Sequence, residues 1–187
     1  MLFRSVIFIP VIISNIAAAA VWKVMFKTDE GIINTVLGLF GISDVNWLGA
    51  KALAFTCVCI VTIWKNVGYY MVIYYAGVIG IPQEQQEAAV IDGASSFQRF
   101  RFVTIPNLHP ITYMVVTLGI ISSFQIFDIV FQLTGGGPGT STITLAYMVY
   151  TYAFSNQKLG YASAIAVILL IFVLIIQRVQ DMLFKER

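Results

Sequence analysis

Charged side chains are scarce in this sequence: Asp, Glu, Lys and Arg make up 11% of its 187 residues. A soluble domain normally carries about a quarter. The chain is also 59% hydrophobic, with a mean hydropathy of +0.86, and its apolar residues come in long blocks. A net charge of only +2 gives no support for binding nucleic acid. These proportions indicate an integral membrane protein.

Residues that build metal and catalytic sites are almost absent. Cys57 and Cys59 stand two apart, where helical side chains point to different faces, so neither a disulfide nor a shared metal is expected. His109 is the only histidine, and no Cys, Asp or Glu cluster accompanies it. The glycine-rich stretch Gly135–Gly139 is not followed by the lysine that a phosphate-binding loop requires. We therefore predict no metal, no cofactor and no catalysis by this chain itself.

Four apolar blocks are each long enough to cross a bilayer as a helix, which takes about 20 residues. They are Leu2–Phe26, Ala52–Ile79, Pro110–Leu133 and Leu159–Leu183. None shows strand-like alternation, so the predicted fold class is all-α, a polytopic membrane helical bundle that forms one domain over residues 1–187. The first block also imitates a signal peptide. Its apolar character continues to Phe26, however, which favours a retained span.

Two shorter segments are expected to lie at the membrane surface. Lys27–Ala50 contains the apolar stretch GIINTVLGLFGI and then Trp47, a pattern typical of an interfacial helix with an aromatic anchor. Leu145–Phe154 is rich in tyrosine and follows a Gly/Pro turn. Both segments are predicted to connect spanning helices without crossing the bilayer.

The distribution of positive charge indicates an orientation. With four spans, both chain ends share one side with the polar segment Ile81–Pro106, hereafter the polar insert. That side carries six basic residues: Arg4, Arg99, Arg101, Arg178, Lys185 and Arg187. The other side carries four: Lys23, Lys27, Lys51 and Lys158. The excess favours a cytoplasmic polar insert and a cytoplasmic C-terminus.

The polar insert has the signals of a helix–turn–helix. Pro82 suits the first position of a helix, since the missing N–H would have no partner there. Asp92-Gly93 is a stop-and-turn signal, and a second short helix is predicted over Ser95–Phe102. The alternative is an ordinary solvated loop. We expect a compact surface knob whose small residues allow another backbone to approach closely.

The spacing within the polar insert is specific. It reads Glu87-Ala88-Ala89, three residues, Gly93, nine residues, then Val-Thr-Ile-Pro ending at Pro106. This resembles the EAA loop of the membrane subunits of bacterial binding-protein-dependent ABC importers, whose usual ending is Ile-x-Leu-Pro. Three further stretches are similar to the carbohydrate-type permeases of that class: FRSVIFIPVIISNIAAAAVWKVMF, WKNVGYYMVIYYAGVIGIP and FDIVFQLTGGGPGTSTITLAYMVYTYAF.

The resemblance implies a transmembrane permease subunit that moves a sugar or related polar solute. In that family the EAA loop carries a coupling helix, which docks into a groove on a cytoplasmic ATPase. The coupling residues implied here are Glu87, Ala88, Ala89, Asp92, Gly93 and Pro106. The implied partners are an ABC ATPase dimer, a second related permease subunit, an extracytoplasmic solute-binding protein and the lipid bilayer.

Members of that family usually have six spans, so the resemblance implies that two N-terminal helices are missing from this sequence. Two explanations are a truncated reading frame and a start site placed too late. A second hypothesis follows from this difference. The chain is then a non-transporting membrane scaffold that docks the ATPase or the partner permease without enclosing a complete pathway.

Polar residues inside a span are costly and therefore mark candidate positions along a solute pathway. The candidates are Asn66, Tyr69, Ser122, Ser123 and Gln125. Their amides, hydroxyls and ring would suit a sugar or polyol, although the same groups also join helices to one another. Lys65 and Asp128 are predicted to pair with each other in the outer half of the membrane. Asp128→Asn is then expected to impair assembly more than selectivity.

Overall fold

The computed structural model describes residues 2–184, and side chains from Arg4 onward. Every regular element in this range is helical, which confirms the predicted fold class. In chain order the α-helices are α1 Leu2–Ile12, α2 Asn15–Met25, α3 Ile32–Gly38, α4 Lys51–Ile79, α5 Gln83–Ile91, α6 Ser96–Arg99, α7 Ile105–Asn107, α8 His109–Phe124, α9 Asp128–Leu133, α10 Leu145–Tyr150 and α11 Leu159–Phe184. Two π-helical turns, Phe100–Thr104 and Thr151–Ser155, extend α6 and α10.

Two helices are long and apolar enough to cross a membrane unbroken: α4 and α11. A bent pair, Arg4–Ile12 with Asn15–Met25, passes the same test, and so does Ser96–Asn107 with His109–Phe124. The described residues therefore provide up to four membrane spans, if each bent pair crosses the membrane once. Apolar side chains on α11 remain exposed along most of its length, as expected where lipid is the solvent.

The sequence predicted one spanning helix for the first apolar block, but the structure has two. α1 ends at Ile12, and α2 leaves at 103° to it. Ser14 adopts φ −57° and ψ 141°, and its hydroxyl accepts a hydrogen bond from the Ala17 N–H, so it caps a new helix. Serine at this position is a helix-start signal, but with Asn15 it stands within a block that is otherwise long and apolar.

The third block is also broken. α8 ends at Phe124, and α9 begins only at Asp128. Ser122, Gln125 and Asp128 are each three residues apart in the sequence, but because of this break they do not share one face of a continuous helix. The three-residue gap instead turns backbone and side chains toward a cavity described below.

The segment between α2 and α4 is organised by one buried side chain, Asn34, which is 2% exposed. Its amide donates to the carbonyls of Thr28 and Val45, each at 2.9 Å. Its oxygen accepts from the Val45 N–H at 3.3 Å and from Trp47 Nε1 at 2.8 Å. Trp47 is half-buried and packs against the core, and its role as an aromatic anchor stays a prediction.

The buried core lies where α2, α4 and α9 meet. It is built from small and branched side chains: Ala19, Phe26, Cys57, Val58, Val61, Ile129, Val130 and Leu133. Alanines at Ala18 and Ala19 let α2 approach α9 closely. Cys57 is buried and Cys59 half-buried, and both are free thiols, in line with their expected role as small hydrophobes.

The last helix is attached to α8 by polar contacts near its end. The Gln180 amide donates to the carbonyl of Tyr113 at 3.1 Å and to Thr117 Oγ1 at 2.8 Å. The hydroxyl of Tyr113 donates to the carboxylate of Asp181. These bonds fix α11 against α8 just beyond the polar insert.

Candidate functional site

The first half of the polar insert forms a helix that ends as the sequence predicts. α5 begins after Pro82, which is the N-cap residue and not the first helical residue. At the other end Gly93 adopts φ +76°. The Gly93 N–H donates to Val90 O at 3.0 Å, and the Ala94 N–H donates to Ala89 O at 2.9 Å. This pair of bonds is a Schellman motif, which requires a left-handed residue where glycine now stands.

The second half returns toward the membrane. Ser95 and Gln98 form a reciprocal capping box at the start of α6. The helical path then continues through a π-helical turn into α7, so the predicted end at Phe102 is wrong, and Pro106 lies inside the returning helix. Asn107 Nδ2 donates to Gln85 Oε1 at 2.8 Å, which joins the returning segment to α5.

The outer surface of this knob combines an acid with exposed apolar side chains. Glu87 is exposed and accepts a hydrogen bond from Gln83 Nε2 at 2.7 Å. Ala88, Asp92, Gly93 and Pro106 are exposed as well, and Ala89 is half-buried. The polar insert also exposes large apolar side chains: Val90, Ile91, Phe97, Phe100 and Phe102.

A groove of about 450 Å³ is lined by Glu87, Arg99 and the apolar side chains of Val90 and Ile91, among others. Arg99 Nη2 donates to Ser96 Oγ at 3.4 Å, whereas its buried Nε has no partner among the described residues. The arrangement offers a carboxylate, a guanidinium and apolar side chains on one rigid surface. Such a surface suits a docking partner rather than free solvent.

Four of the five predicted pathway residues come together in one cavity of about 570 Å³. They are Asn66, Ser122, Ser123 and Gln125. The cavity opens at the break between α8 and α9 and is bounded on its other side by α4. Asn66 Nδ2 donates to Thr62 O at 2.8 Å, and Ser123 Oγ donates to Gly119 O at 2.8 Å.

The fifth predicted residue, Tyr69, does not line this cavity, and its neighbour Tyr70 does. The two rings pack edge to face with centroids 5.5 Å apart. On α4 both tyrosines are neighbours of Asn66 on the helix surface, Tyr69 at i+3 and Tyr70 at i+4, so helical spacing does not distinguish them. Sequence reasoning also missed Asn15, which reaches the cavity only because α2 turns away from α1.

The predicted pairing of Lys65 with Asp128 is wrong. Lys65 Nζ donates to the carbonyl of Val11 at 3.0 Å. Asp128 Oδ2 accepts from Asn15 Nδ2 at 3.1 Å. Within residues 2–184 no ion pair joins the two, because each side chain serves a different side of the break between α1 and α2.

Comparison with known proteins gives the family. Residues 1–186 match the family described as "Binding-protein-dependent transport system inner membrane component". The chain belongs to this family. Its members are membrane components of transport systems, and this identification agrees with the resemblance read from the polar insert.

Several relatives in this family are named as sugar permeases. The trehalose/maltose transport system permease protein MalF of Thermococcus litoralis is 36% identical over 171 residues, which cover 91% of this chain and 58% of the relative. The multiple sugar-binding transport system permease protein MsmF of Streptococcus mutans is 35% identical over 184 residues, covering 98% and 63%. The chain thus spans about three fifths of the length of these relatives.

Solved structures agree on the fold. A bacterial ABC transporter involved in import of the acidic polysaccharide alginate matches with a TM-score of 0.88 at 19% identity, covering 98% of this chain and 64% of that one. A second structure, the alginate transporter in complex with an alginate pentasaccharide-bound periplasmic protein, matches with a TM-score of 0.87 at 19% identity, covering 96% and 62%. At this identity the match establishes the arrangement of helices alone.

Neither the core nor the cavity provides a metal site. Among residues 2–184 no group of three or more His, Cys, Asp or Glu side chains could hold a metal ion. The cavity is instead lined by amides, hydroxyls, an aromatic ring and one carboxylate. Such a set forms hydrogen bonds with a polar solute and offers no nucleophile with an adjacent base.

Proposed function

We propose that this chain is the transmembrane permease subunit of an ABC importer that moves a sugar or related polar solute across the cytoplasmic membrane. ATP hydrolysis takes place on a separate subunit. The sugar permeases among its relatives support this substrate class.

One observation carries the proposal. The polar insert lies directly between α4 and α8, and these two helices also supply most of the polar cavity lining. On α4 the lining residues are Thr62, Asn66 and Tyr70, and on α8 they are Gly119, Ser122 and Ser123. A force applied to the knob therefore reaches the cavity walls through two continuous helices.

The polar insert is the coupling element in this proposal. Glu87, Ala88, Ala89, Asp92, Gly93 and Pro106 form the surface that contacts the ATPase. Closure of an ATPase dimer moves its docking groove, and a rigid knob held in the groove converts that movement into rocking of α4 and α8. The Schellman turn and the Asn107–Gln85 bond keep the knob rigid enough for this purpose.

The cavity is the candidate solute pathway. Asn66, Ser122, Ser123 and Gln125 offer donors and acceptors that replace the water lost by a sugar hydroxyl. Tyr70 adds an aromatic face, and takes the place first assigned to Tyr69.

The orientation and the remaining partners complete the proposal. The excess of basic residues on the side of the polar insert supports a cytoplasmic insert and C-terminus. A second permease subunit covers the exposed apolar helix faces, and an extracytoplasmic solute-binding protein delivers the solute to the opposite side. The alginate transporter in complex with its periplasmic protein is a solved example of a transporter bound to a solute-binding protein.

Uptake by intact cells tests the proposed function. The gene is deleted, and the strain is complemented with the wild-type gene or with Asn66→Ala. Uptake of radiolabelled maltose, trehalose and other sugars that the wild-type cell imports is then compared. Deletion is expected to abolish uptake of one or more of them, and Asn66→Ala is expected to reduce that same uptake. Unchanged uptake of every imported sugar after deletion contradicts the proposal.

A further inference from the structure

Lys65 is an unusual residue for its position. It lies in the middle of α4, a membrane span, and is only 6% exposed. A lysine amino group at this depth needs a hydrogen-bonding partner, since neither lipid nor a packed core supplies water. Among the described residues its partner is neither Asp128 nor any other carboxylate. It is a backbone carbonyl, Val11 O, at 3.0 Å.

The Val11 carbonyl that accepts this bond belongs to the end of a helix. Val11 lies in the last turn of α1, where the final four carbonyls of a helix have no partner within the helix. In a straight helix the N–H of Asn15 would bind this carbonyl, but the chain turns by 103° before that residue. An unpaired carbonyl in the membrane interior is costly, because lipid offers it no hydrogen-bond donor. The Lys65 amino group supplies the missing donor.

The same face of α4 fixes α1 at a second point, one turn further on. A Cβ atom on Gly68 would stand 2.3 Å from the Ile7 carbonyl oxygen, so the backbones of α1 and α4 are in direct contact there. Lys65 and Gly68 are three residues apart and therefore face the same way. Together they hold the end of α1 against α4 both by contact and by a hydrogen bond.

On the other side of the break stands the cavity. Asn15, the first residue of α2, donates to Asp128 Oδ2 at 3.1 Å, and both residues line the cavity wall. Further along α2, Lys23 Nζ donates to Gln132 O at 3.2 Å near the end of α9. α2 and α9 are therefore bound to each other at both ends. The direction of α2 depends on how α1 ends.

We propose that Lys65 is a positioning residue that maintains the bend between α1 and α2. By donating to Val11 O it makes the broken conformation stable in the membrane interior. It thereby sets the direction of α2 and the position of the Asn15–Asp128 wall. Its importance for solute passage rests on the proposed function, whereas its effect on the bend does not.

The test measures the bend directly. Spin labels are attached to Val6→Cys and Val21→Cys, two exposed positions on opposite sides of the break, in the full chain in lipid nanodiscs. Cys57 and Cys59 are first replaced by alanine. Electron–electron resonance then gives the distribution of distances between the labels. For Lys65→Met, which keeps an unbranched side chain without the amino group, the distribution is expected to broaden and shift to longer distances as the bend opens.

Three further variants make the result specific. Lys51→Met removes an exposed lysine from the same helix and is expected to leave the distribution unchanged. Lys65→Arg keeps N–H donors at similar reach and is expected to restore the wild-type distribution more closely than Lys65→Met. Lys65→Asn, whose amide is shorter and cannot reach Val11 O, replaces Lys65→Met if that variant does not accumulate. A wild-type distribution in Lys65→Met or in Lys65→Asn overturns the proposal, whatever the outcome of the uptake assay.

Discussion

The turn at the end of α5 gives the clearest single-residue prediction for coupling. Gly93 has φ +76°, and a Cβ atom placed there would meet nothing within 4 Å. Gly93→Ala therefore introduces no clash, and its whole effect is the cost of holding an L-residue in the left-handed region. That cost is about 1–2 kcal/mol. The hydrogen bonds of the Gly93 and Ala94 N–H groups require this conformation. The conformational cost of alanine is therefore incurred whenever the polar insert docks with this turn formed.

A cost of about 1–2 kcal/mol corresponds to about a 5- to 30-fold loss of affinity, if the turn must be formed for docking. The affinity of the detergent-purified chain for the ABC ATPase proposed as its partner, measured by biolayer interferometry, is expected to fall by that factor in Gly93→Ala. Gly93→Asn should lose less, because asparagine tolerates the left-handed region better than alanine.

The matched control is Gly160→Ala. Gly160 lies in α11 without a positive φ, and a Cβ atom there also meets nothing within 4 Å. Alanine favours a helix interior over glycine by about 1 kcal/mol, so this variant should bind the ATPase as the wild type does. Equal affinity of Gly93→Ala and Gly160→Ala would refute the reasoning, since only Gly93 holds the left-handed conformation that the prediction concerns.

Three other predictions concern stability and the cavity. Asn34→Leu leaves several buried backbone and side-chain groups without partners and should lower the free energy of unfolding in detergent by about 3 kcal/mol or more, with lower thermal stability as the readout. Asn66→Ala should raise the KM for solute uptake about tenfold by removing a cavity hydrogen bond, whereas Tyr69→Phe should leave it unchanged because that ring lies outside the cavity. Gly68→Ala should destabilise the folded chain by about 1–3 kcal/mol, because the new methyl group would press on Ile7 O, and thermal unfolding measures the loss.

The spans and the polar insert are well predicted from the sequence because their signals are local. A bilayer requires long apolar helices, and Asp92-Gly93 encodes a helix end that the structure reproduces. The spacing of Glu87, Ala88 and Ala89 relative to Gly93, together with the three further stretches, resembles the family to which the chain belongs.

The breaks in the first and third spans could not be predicted from hydrophobic patterning. The blocks on both sides of Ile13 and of Ile126 are apolar enough to be read as one span, so block hydropathy does not say where a helix turns. The weak signals were Ser14, a capping residue, and the polar Gln125. Once both helices are broken, the partners of polar side chains change as well. Lys65 and Asp128 each find a group on the bent first pair of helices in place of each other.

The correct tyrosine of the cavity illustrates a second limit. Tyr69 and Tyr70 are adjacent, and composition does not distinguish them. Only the direction of α4 relative to α8 decides which ring faces Ser122 and Gln125. That direction follows from tertiary packing.

Co-purification tests the central claim, that the polar insert couples this chain to an ATPase. The tagged chain is expressed together with the ABC ATPase proposed as its partner, and wild type, Glu87→Lys and Glu84→Lys are compared. Glu84 is also an exposed glutamate of α5 but stands outside the Glu-Ala-Ala motif, so it controls for the change in charge. The expected result is that wild type and Glu84→Lys retain the ATPase and Glu87→Lys loses it. Equal retention by all three variants contradicts the claim that Glu87 lies at the contact.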